Sequence, residues 1–416
     1  MAETKLLSKH WDEADSYLLS GYERVGGYQQ VKKALQMKPE DIVAEVTKSN
    51  LRGRGGAGFP TGLKWTFVRK EKATPKYLVI NADEGEPGTF KDRYCLELDP
   101  HRFIEGCVIG AWALDCHAVY VYCRGEFQPG AITRLKGAIA EAKAKGYLGK
   151  SVFGSGYEVE MYVHRGAGAY ICGEESALLE SLEGKKGYPR IKPPFPANAG
   201  LFGKPTAVNN VETMSNIPTI IELGAEAYAK VGCDKNGGTR LFTVSGHVEK
   251  PGVYEAPMGT TFRELIYDLC GGIAGGRQLK AIIPGGSSSA VLSADQVDLK
   301  SDFDSLKAAK TMAGSGGVIV LDDTVDMAWA LYNVTKFYAH ESCGQCTPCR
   351  EGTGWAARLL RKILDGNGAK SDIDLVYGIA RQGEQRTICA LFDGAAMPLK
   401  SYIEKFRGDF EKHVRN

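Results

Sequence analysis

Four cysteines near the C-terminal end limit the possible folds of this chain more than any other feature. Cys343, Cys346 and Cys349 lie two residues apart in one short segment, and Cys389 follows much later. Three close thiolates with one distant partner suit a cubane, which takes one thiolate for each iron. Gly344 lets the first segment wrap one face of such a cluster. We therefore expect a four-iron, four-sulfur (4Fe-4S) cluster, and a fold that returns Cys389 to the other three.

Zinc is the alternative ligand for these cysteines. Structural zinc usually uses two separated Cys-x-x-Cys pairs, whereas this chain has three cysteines within seven residues. The spacing favours iron and sulfur but leaves zinc open. The remaining cysteines are scattered, and we expect them to be buried as small apolar side chains in a reducing compartment.

Composition excludes some classes of function. A chain of 416 residues that is 43% hydrophobic can form two to four domains. Its formal net charge of +2 gives no bulk attraction to nucleic acid. No apolar stretch is long enough for a membrane span or a secretory signal. The sequence predicts a globular protein of several domains, without a nucleic-acid partner.

Hydrophobic periodicity divides the chain into four parts. Residues 1–50 are predicted to be a helical segment and residues 51–239 an α/β domain, because short strands there alternate with helices. The pattern predicts a parallel or mixed sheet. Residues 240–323 are predicted to be a small α+β domain with returning strands. Residues 324–416 contain four stretches with apolar residues every three or four positions, which predicts a four-helix bundle.

A glycine-rich loop opens the α/β domain. The run from Gly53 to Gly58 matches the dinucleotide-binding fingerprint, although a helix precedes it where that motif requires a strand. A flexible connecting turn is the alternative. Phe59, Lys64 and Phe67 follow at once and offer stacking faces and a phosphate partner. The combination favours a nucleotide cradle.

Carboxylates follow the first predicted strand. Asp83, Glu84 and Glu86 come directly after Asn81, at the carboxyl end of the strand, where open α/β sheets bind ligands. A solvated acidic turn or a metal site would be alternatives. Hydrogen bonding to ribose hydroxyls or flavin ring nitrogens suits a nucleotide site better.

Three later segments have the same character. A glycine loop at 166–175 leads into a helix that begins near Ser176, and a helix N-terminus favours anionic or polar ligand groups. The segment 192–196 could be a stiff proline linker, and 205–213 could be a turn before a capped helix. Alternatively, Asn209 and Asn210 offer donors and acceptors suited to a flavin chain or phosphate.

Taken together, these segments resemble the NADH-binding flavoprotein subunit of respiratory complex I, the NADH:quinone oxidoreductase. The likeness extends from Leu51 to the C-terminus. It implies an α/β Rossmann-like FMN domain, a small β-grasp-like α+β domain of the soluble-ligand-binding type, and a C-terminal four-helix bundle that carries the iron-sulfur cluster. Phe392 and Met397 stand where the family pattern has glycine and tryptophan.

The resemblance also implies the ligand contacts. It places FMN against Gly53, Arg54, Gly55, Gly56, Lys64, Asn81, Asp83, Glu84, Tyr170, Gly173, Glu174, Glu175, Val208, Asn209, Asn210 and Thr213. It places the adenine of NADH among Phe59, Phe67 and Phe195, with Glu86 and Lys192 reaching the ribose and phosphates. No side chain is expected to act as a catalytic group, because the cofactor carries the chemistry.

The implied activity is NADH oxidation by hydride transfer to FMN, followed by single-electron transfer to the 4Fe-4S cluster. The implied partners are a two-iron thioredoxin-like subunit and a large multi-cluster subunit. The implied location is cytoplasmic, on the inner side of an energy-transducing membrane. Glu175 is expected to disfavour NADPH by repelling its 2′-phosphate.

Two alternatives to this activity stay open. One is the diaphorase subunit of an NAD-linked hydrogenase or formate dehydrogenase, which often carries an extra domain; the first fifty residues here are too few for one. The non-enzyme alternative is a zinc-stapled scaffold that binds nucleotide without turnover.

Overall fold

The computed structural model describes residues 4–414, so the first three residues of the predicted N-terminal segment and the last two of the C-terminal domain lie outside it. The N-terminal segment contains helices joined by turns. Its helices are α1 (Leu19–Arg24), α2 (Gln29–Ala34) and α3 (Pro39–Lys48). The carboxylate of Glu105, in the next domain, accepts hydrogen bonds from the amides of Gln30 and Val31 and so fixes the start of α2.

The first sheet has four strands, all parallel. They are β1 (Lys76–Ala82), β2 (Cys116–Cys123), β3 (Glu160–Arg165) and β4 (Thr206–Asn210), in the order β3-β2-β1-β4. The prediction of a parallel sheet is confirmed. Strand β4 lies in the segment for which a turn before a helix was one of the predictions. Asparagine is uncommon in strands, so the two asparagines of β4 weaken the sequence signal for a strand.

Helices pack around this sheet. They are α4 (Thr61–Lys70), α5 (Asp92–Leu98), α6 (Pro100–Leu114), α7 (Gly130–Ala144), α8 (Glu175–Leu182), α9 (Pro196–Ala199), α10 (Val211–Ser215), α11 (Ile217–Leu223) and α12 (Ala225–Val231). Helix α6 is almost entirely buried between the sheet and the N-terminal helices. The side chain of Asp99 accepts a hydrogen bond from the amide of Arg102 and caps α6.

The strand order locates a binding edge. Strand β1 lies between β2 and β4, so the chain winds away from β1 in two directions. The carboxyl ends of all four strands meet at one edge, where a crevice forms beside such a switch point. The loop after β1, the end of β4 and the glycine loop before α4 all converge there.

The second sheet is mixed. Its strands are β5 (Thr239–Gly246), β6 (Gly252–Pro257), β7 (Leu279–Ile283), β8 (Leu292–Ser293) and β9 (Gly317–Asp322), in the order β6-β5-β9-β7-β8. Only β5 and β9 pair in parallel. A π-helical turn (Glu264–Leu269) and α13 (Phe303–Ala308) accompany it. Buried side chains such as Phe242, Phe262 and Val318 give this sheet its own hydrophobic core.

Four helices complete the chain. They are α14 (Met327–Glu341), α15 (Thr347–Leu364), α16 (Lys370–Gly383) and α17 (Leu391–Glu411). Helix α14 contacts α15 and α17, and α16 contacts the same two helices. Phe392 is fully buried among them, and a Cβ atom at Gly383 would lie only 2.2 Å from its ring. Within residues 4–414, no helix is both long and apolar enough to span a membrane.

Candidate functional site

Two adjoining cavities lie at the carboxyl edge of the first sheet. The inner cavity has a volume of about 470 Å³ and the outer cavity one of about 800 Å³. They share a wall formed by the glycine loop, the ends of β1 and β4 and the residues before α8, which consists of Gly55, Gly56, Ala57, Asn81, Gly173, Glu174 and Asn210. The two cavities are therefore parts of one cleft.

The inner cavity contains an unsatisfied acceptor. The Oδ2 atom of Asp83 is buried and has no hydrogen-bond partner among residues 4–414. Burial raises the pKa of this carboxyl to about 7. Asn81 fixes the loop, since its Oδ1 accepts from the Asp83 amide at 3.1 Å and its Nδ2 donates to the Gly173 carbonyl at 2.8 Å. A flavin with N–H or hydroxyl donors would satisfy the free oxygen, so the residues present fit FMN.

Glu84 also lines the inner cavity, but its carboxylate caps a helix. It accepts hydrogen bonds at 2.8 Å from the amides of Lys91 and Asp92 at the start of α5. Burial, and next the charge of Asp92, raise the pKa of Glu84 to about 7. Glu84 therefore shapes the loop after β1 as well as facing the cavity.

Glu86 lies in the inner cavity and not beside the predicted adenine residues. Its Oε2 accepts from the Tyr170 hydroxyl at 2.6 Å, and its Oε1 accepts from the Ser288 amide at 2.7 Å. Burial raises the pKa of Glu86. Both carboxylate oxygens thus already bind protein donors from different parts of the chain.

Arg54 directs its guanidinium into the protein interior. This fully buried side chain donates to the carbonyls of Gly237 and Thr239, at 2.8 and 2.9 Å. Its amide donates to Thr213 Oγ1 at 2.9 Å, so Thr213 supports the glycine loop from behind and lines neither cavity. The side chains of Arg54 and Thr213 hold the loop in place.

The outer cavity is lined by the three predicted phenylalanines. Phe59, Phe67 and Phe195 are 41%, 44% and 55% exposed. Phe59 and Phe67 lie with ring centroids 6.4 Å apart. Large exposed aromatic faces around a cleft can stack on a planar base. The structure therefore brings these three residues together, as an adenine site requires.

Charged groups line the outer cavity together with the aromatic residues. Lys192 Nζ donates to Glu174 at 2.8 Å and to Glu175 at 2.9 Å. Burial opposes ionisation of Glu174, but hydrogen bonds from Lys192 and Ser176 hold its pKa below the usual value. Lys64 Nζ donates to the Val208 carbonyl at 2.9 Å, and burial lowers the pKa of Lys64.

The two asparagines of β4 are bound to protein groups. Asn209 Oδ1 accepts from the Trp65 indole at 3.1 Å. Asn210 Nδ2 donates to Asp92 at 2.6 Å, and its Oδ1 caps α10. Asn210 still lines both cavities, and the Cβ of any residue at Gly55 would lie 3.1 Å from it.

The four cysteines surround a third, small cavity. Cys343, Cys346, Cys349 and Cys389 all line it. The amide of Ile388 donates to Cys346 Sγ at 3.3 Å, a contact typical of cluster ligands. Among residues 4–414, no three His, Cys, Asp or Glu side chains meet closely enough to bind one metal ion. The four thiols line one common space and are the number of ligands that a cubane takes.

The cysteine cavity adjoins the inner cavity. Ile171, Cys389 and Leu391 line both of them. A group in the inner cavity and a cluster on the cysteines would therefore be separated by one layer of side chains. This arrangement suits electron transfer between two bound redox groups.

Some lining residues of the inner cavity were not found from the sequence. They are Ser288, Met312, Gly314 and Ser315 from the second sheet, with Asp393 and Met397 from α17. The glycine cluster at 314–317 was the available signal, because clustered glycines mark close backbone approaches.

A glycine loop at a switch point, an aromatic cleft and a cysteine-lined cavity beside it define a nucleotide-dependent flavoprotein with an iron-sulfur centre. Matches to known protein families agree with this class of protein. Residues 46–219 match the Nuo51 FMN-binding domain, 329–413 the NADH-ubiquinone oxidoreductase-F iron-sulfur binding region, and 241–292 the SLBB domain. The match to a 4Fe-4S region decides between iron and zinc.

Individual relatives extend the match to nearly the whole chain. The chain is 50% identical to an NADH-quinone oxidoreductase F subunit of Rhizobium meliloti, covering 98% of this chain and 97% of that protein. It is also 50% identical to the F subunit of the same enzyme in Rickettsia felis, covering 96% of this chain and 95% of that protein. The chain belongs to the family of NADH-quinone oxidoreductase F subunits.

A solved structure has the same fold. It is an NAD+-reducing [NiFe]-hydrogenase in the H2-reduced state, 34% identical, with a TM-score of 0.87. The match covers 99% of this chain and 67% of the hydrogenase chain.

Proposed function

We propose that this chain is the electron-input subunit of an NADH:quinone oxidoreductase. NADH binds in the outer cavity, FMN in the inner cavity, and a 4Fe-4S cluster on the four cysteines. When bound, FMN supplies hydride acceptance from NADH and single-electron release to the cluster. The wall shared by the inner and cysteine cavities carries this proposal, because it joins a two-electron site to a one-electron site.

The side chains of the outer cavity orient the substrate in this proposal. Phe59, Phe67 and Phe195 stack on the adenine, which fixes one end of NADH. Lys192 lines the same cavity and can bind the substrate phosphates while keeping its contact with Glu174. Glu175 faces the ribose and disfavours a phosphate on it.

The inner cavity binds the flavin through backbone and polar side chains. The glycine loop allows close backbone approach, and the Oδ2 of Asp83 accepts a hydrogen bond from the flavin. The remaining FMN contacts implied by the family resemblance are proposed as well, and FMN would extend towards the outer cavity to reach Gly53, Lys64, Glu175, Val208 and Asn209. Thr213 would act through the glycine loop that it supports. Glu86 is proposed to reach NADH only where the nicotinamide end extends into the inner cavity, because it lines that cavity alone. Its two oxygens bind Tyr170 and Ser288 before any ligand enters.

The finer description of the fold is also a proposal. Residues 51–239 would form the FMN domain and 240–323 a β-grasp-like domain. The four C-terminal helices of 324–416 would form a four-helix bundle. The separate core of the second sheet and the mutual contacts of α14 to α17 support these boundaries.

We further propose that the chain works within a complex. A two-iron thioredoxin-like subunit and a large multi-cluster subunit would accept its electrons, on the cytoplasmic, inner side of an energy-transducing membrane. The relatives are named as one subunit of a multi-subunit enzyme, which supports this proposal.

A diaphorase of a hydrogenase is the second candidate. The structural likeness to an NAD+-reducing hydrogenase favours it, although the 34% identity is lower than the 50% identity to the NADH-quinone oxidoreductase relatives. Purification of the native complex separates the two. Co-purifying hydrogenase subunits with nickel would favour the diaphorase, and quinone-reactive activity would favour the NADH:quinone oxidoreductase.

Absorption spectroscopy tests the proposed chemistry itself. The purified holoprotein should show a flavin band over broad iron-sulfur absorption, and NADH should bleach both under anaerobic conditions. Cys389→Ser should lose the cluster absorption but retain the flavin band. A colourless protein that contains zinc would contradict the proposal.

A further inference from the structure

The second sheet contributes a wall to the inner cavity. Two of its loops, residues 284–289 and 312–316, bring Ser288, Met312 and Ser315 to the cavity surface. We call these two loops the double-loop wall. They adjoin the glycine loop, and the carbonyl carbon of Gly314 would be 3.9 Å from a Cβ built at Gly56. The cavity is therefore lined by loops of both sheets and not by the parallel sheet alone.

The two loops form one unit. The amide of Ser315 donates to the Gly285 carbonyl at 3.1 Å, and the amide of Gly286 donates to the Gly317 carbonyl at 2.6 Å. Gly314 has φ +47, and a Cβ there would lie 1.8 Å from the Gly285 carbonyl oxygen. Only glycine allows this approach, so the contact is built into the wall.

A buried arginine holds the wall on its own sheet. The guanidinium of Arg240, on β5, donates to the Gly314 carbonyl. It also lies over the Phe303 ring, 5.1 Å from the centroid. Arg240 has no exposed surface and lines neither cavity. Arg240 therefore does not touch a ligand in the cavity, and it affects the cavity only through Gly314.

Polar contacts tie the wall to the other two parts of the protein. Glu86, from the loop after β1, accepts from the Ser288 amide at 2.7 Å and from the Ser287 hydroxyl at 3.2 Å. The Ser287 hydroxyl also lies 2.9 Å from the hydroxyl of Tyr338 on α14. Thr89 bonds to Ser315 from the same side as Glu86. Three separate units meet at this point.

We infer that the double-loop wall retains the flavin, and that Ser287, Tyr338 and Arg240 are positioning residues that keep the wall closed. The inference rests on the proposed location of FMN in the inner cavity. The wall covers the side of the inner cavity that faces the second sheet, so the contacts that hold the wall in place should limit how fast a ligand leaves. The second sheet thereby acquires a function in cofactor retention.

The release rate of FMN from the holoprotein tests this inference. Ser287→Ala and Tyr338→Phe each remove hydrogen bonds of the wall, and neither residue lines the inner or outer cavity. Each variant should release FMN about fivefold to tenfold faster, the change expected for one lost hydrogen bond. Flavin fluorescence, which rises on release into a large dilution, gives the rate directly.

Thr335→Val on α14 is the matched control. It removes a buried hydroxyl that bonds only within its own helix, to the Leu331 carbonyl at 2.7 Å. It should lower the melting temperature without changing the release rate. Because Ser287 and Tyr338 share one contact, their effects on the release rate should not multiply. The release rate of the double variant should rise by less than the product of the two single-variant increases.

Two results would overturn the inference. Release rates in Ser287→Ala and Tyr338→Phe equal to wild type would show that the wall does not retain the flavin. Equal acceleration in Thr335→Val would show that general destabilisation is the cause. If Ser287→Ala does not fold, Tyr338→Phe alone decides, because it keeps the aromatic ring. Wild-type protein that binds no FMN would instead refute the proposed function.

Discussion

The binding of FMN should release a proton near neutral pH through Asp83. In the free protein, burial raises the pKa of Asp83 to about 7, and its Oδ2 lacks a partner among residues 4–414. A flavin donor would bond to the ionised carboxylate and stabilise it. The pKa would fall towards the ordinary value of about 4, so the complex binds fewer protons than the free protein.

The size of the effect follows from the two pKa values. With a pKa of about 7 free and about 4 bound, linkage makes FMN binding about tenfold tighter at pH 8 than at pH 6. This ratio corresponds to about 1.4 kcal/mol. The free energy of unfolding of the apoprotein should instead fall as the pH rises. Because the folded pKa is raised, the contribution of Asp83 is full below about pH 4 and is lost as pH rises through 7.

Fluorescence titration of apoprotein with FMN at both pH values measures the ratio. Asp83→Asn cannot titrate, and should show only the dependence that arises from the FMN phosphate, whose second pKa is about 6. Glu84→Gln is the second control and should keep the wild-type pH dependence. Glu84 also has a pKa of about 7, but its carboxylate already accepts hydrogen bonds from the amides at the start of α5. An Asp83→Asn titration with the wild-type pH dependence would refute the reasoning.

Three further substitutions have defined outcomes. Glu175→Ala should raise the NADPH/NADH ratio of kcat/KM about tenfold. The Glu175 carboxylate and the 2′-phosphate of NADPH, about 6 Å apart, would repel by about 1.4 kcal/mol at an effective dielectric constant of about 40. An unchanged ratio would contradict this. Phe195→Ala should raise KM for NADH about threefold to tenfold through lost stacking, whereas Phe202→Ala, equally exposed but outside both cavities, should not. Cys389→Ser should lower the iron content while Cys233→Ser leaves it intact, since Cys233 is remote from the cysteine cavity; equal iron content in both would exclude Cys389 as a ligand.

Local periodicity was enough to predict most of the architecture. Strands β1 and β2 carry apolar runs, and the C-terminal helices repeat apolar residues at helical spacing. Strand β4 lacks such a signal because it is short and ends in Asn209 and Asn210. Its side chains are buried by the long-range pairing with β1, which no local pattern encodes.

The direction of side chains could not be predicted from motifs. Arg54 and Gly55 stand in one fingerprint, yet the buried guanidinium of Arg54 donates to the carbonyls of Gly237 and Thr239. Those carbonyls come from a segment nearly two hundred residues later. The double-loop wall was missed for the same reason, because its two loops meet the loop after β1 only in the folded chain.

The start of α17 connects the cluster site to the wall of the inner cavity. Cys389 lies just before α17, and Gly394 in its first turns packs so closely that a Cβ there would lie 3.1 Å from that of Ser288. Phe392, between these residues, is fixed in the bundle against Gly352 and would be 2.9 Å from a Cβ at that position. A displacement of α17 would therefore move the cluster ligand and the wall together. The separation of the two redox groups depends on this helix, and not on the cysteine loop alone.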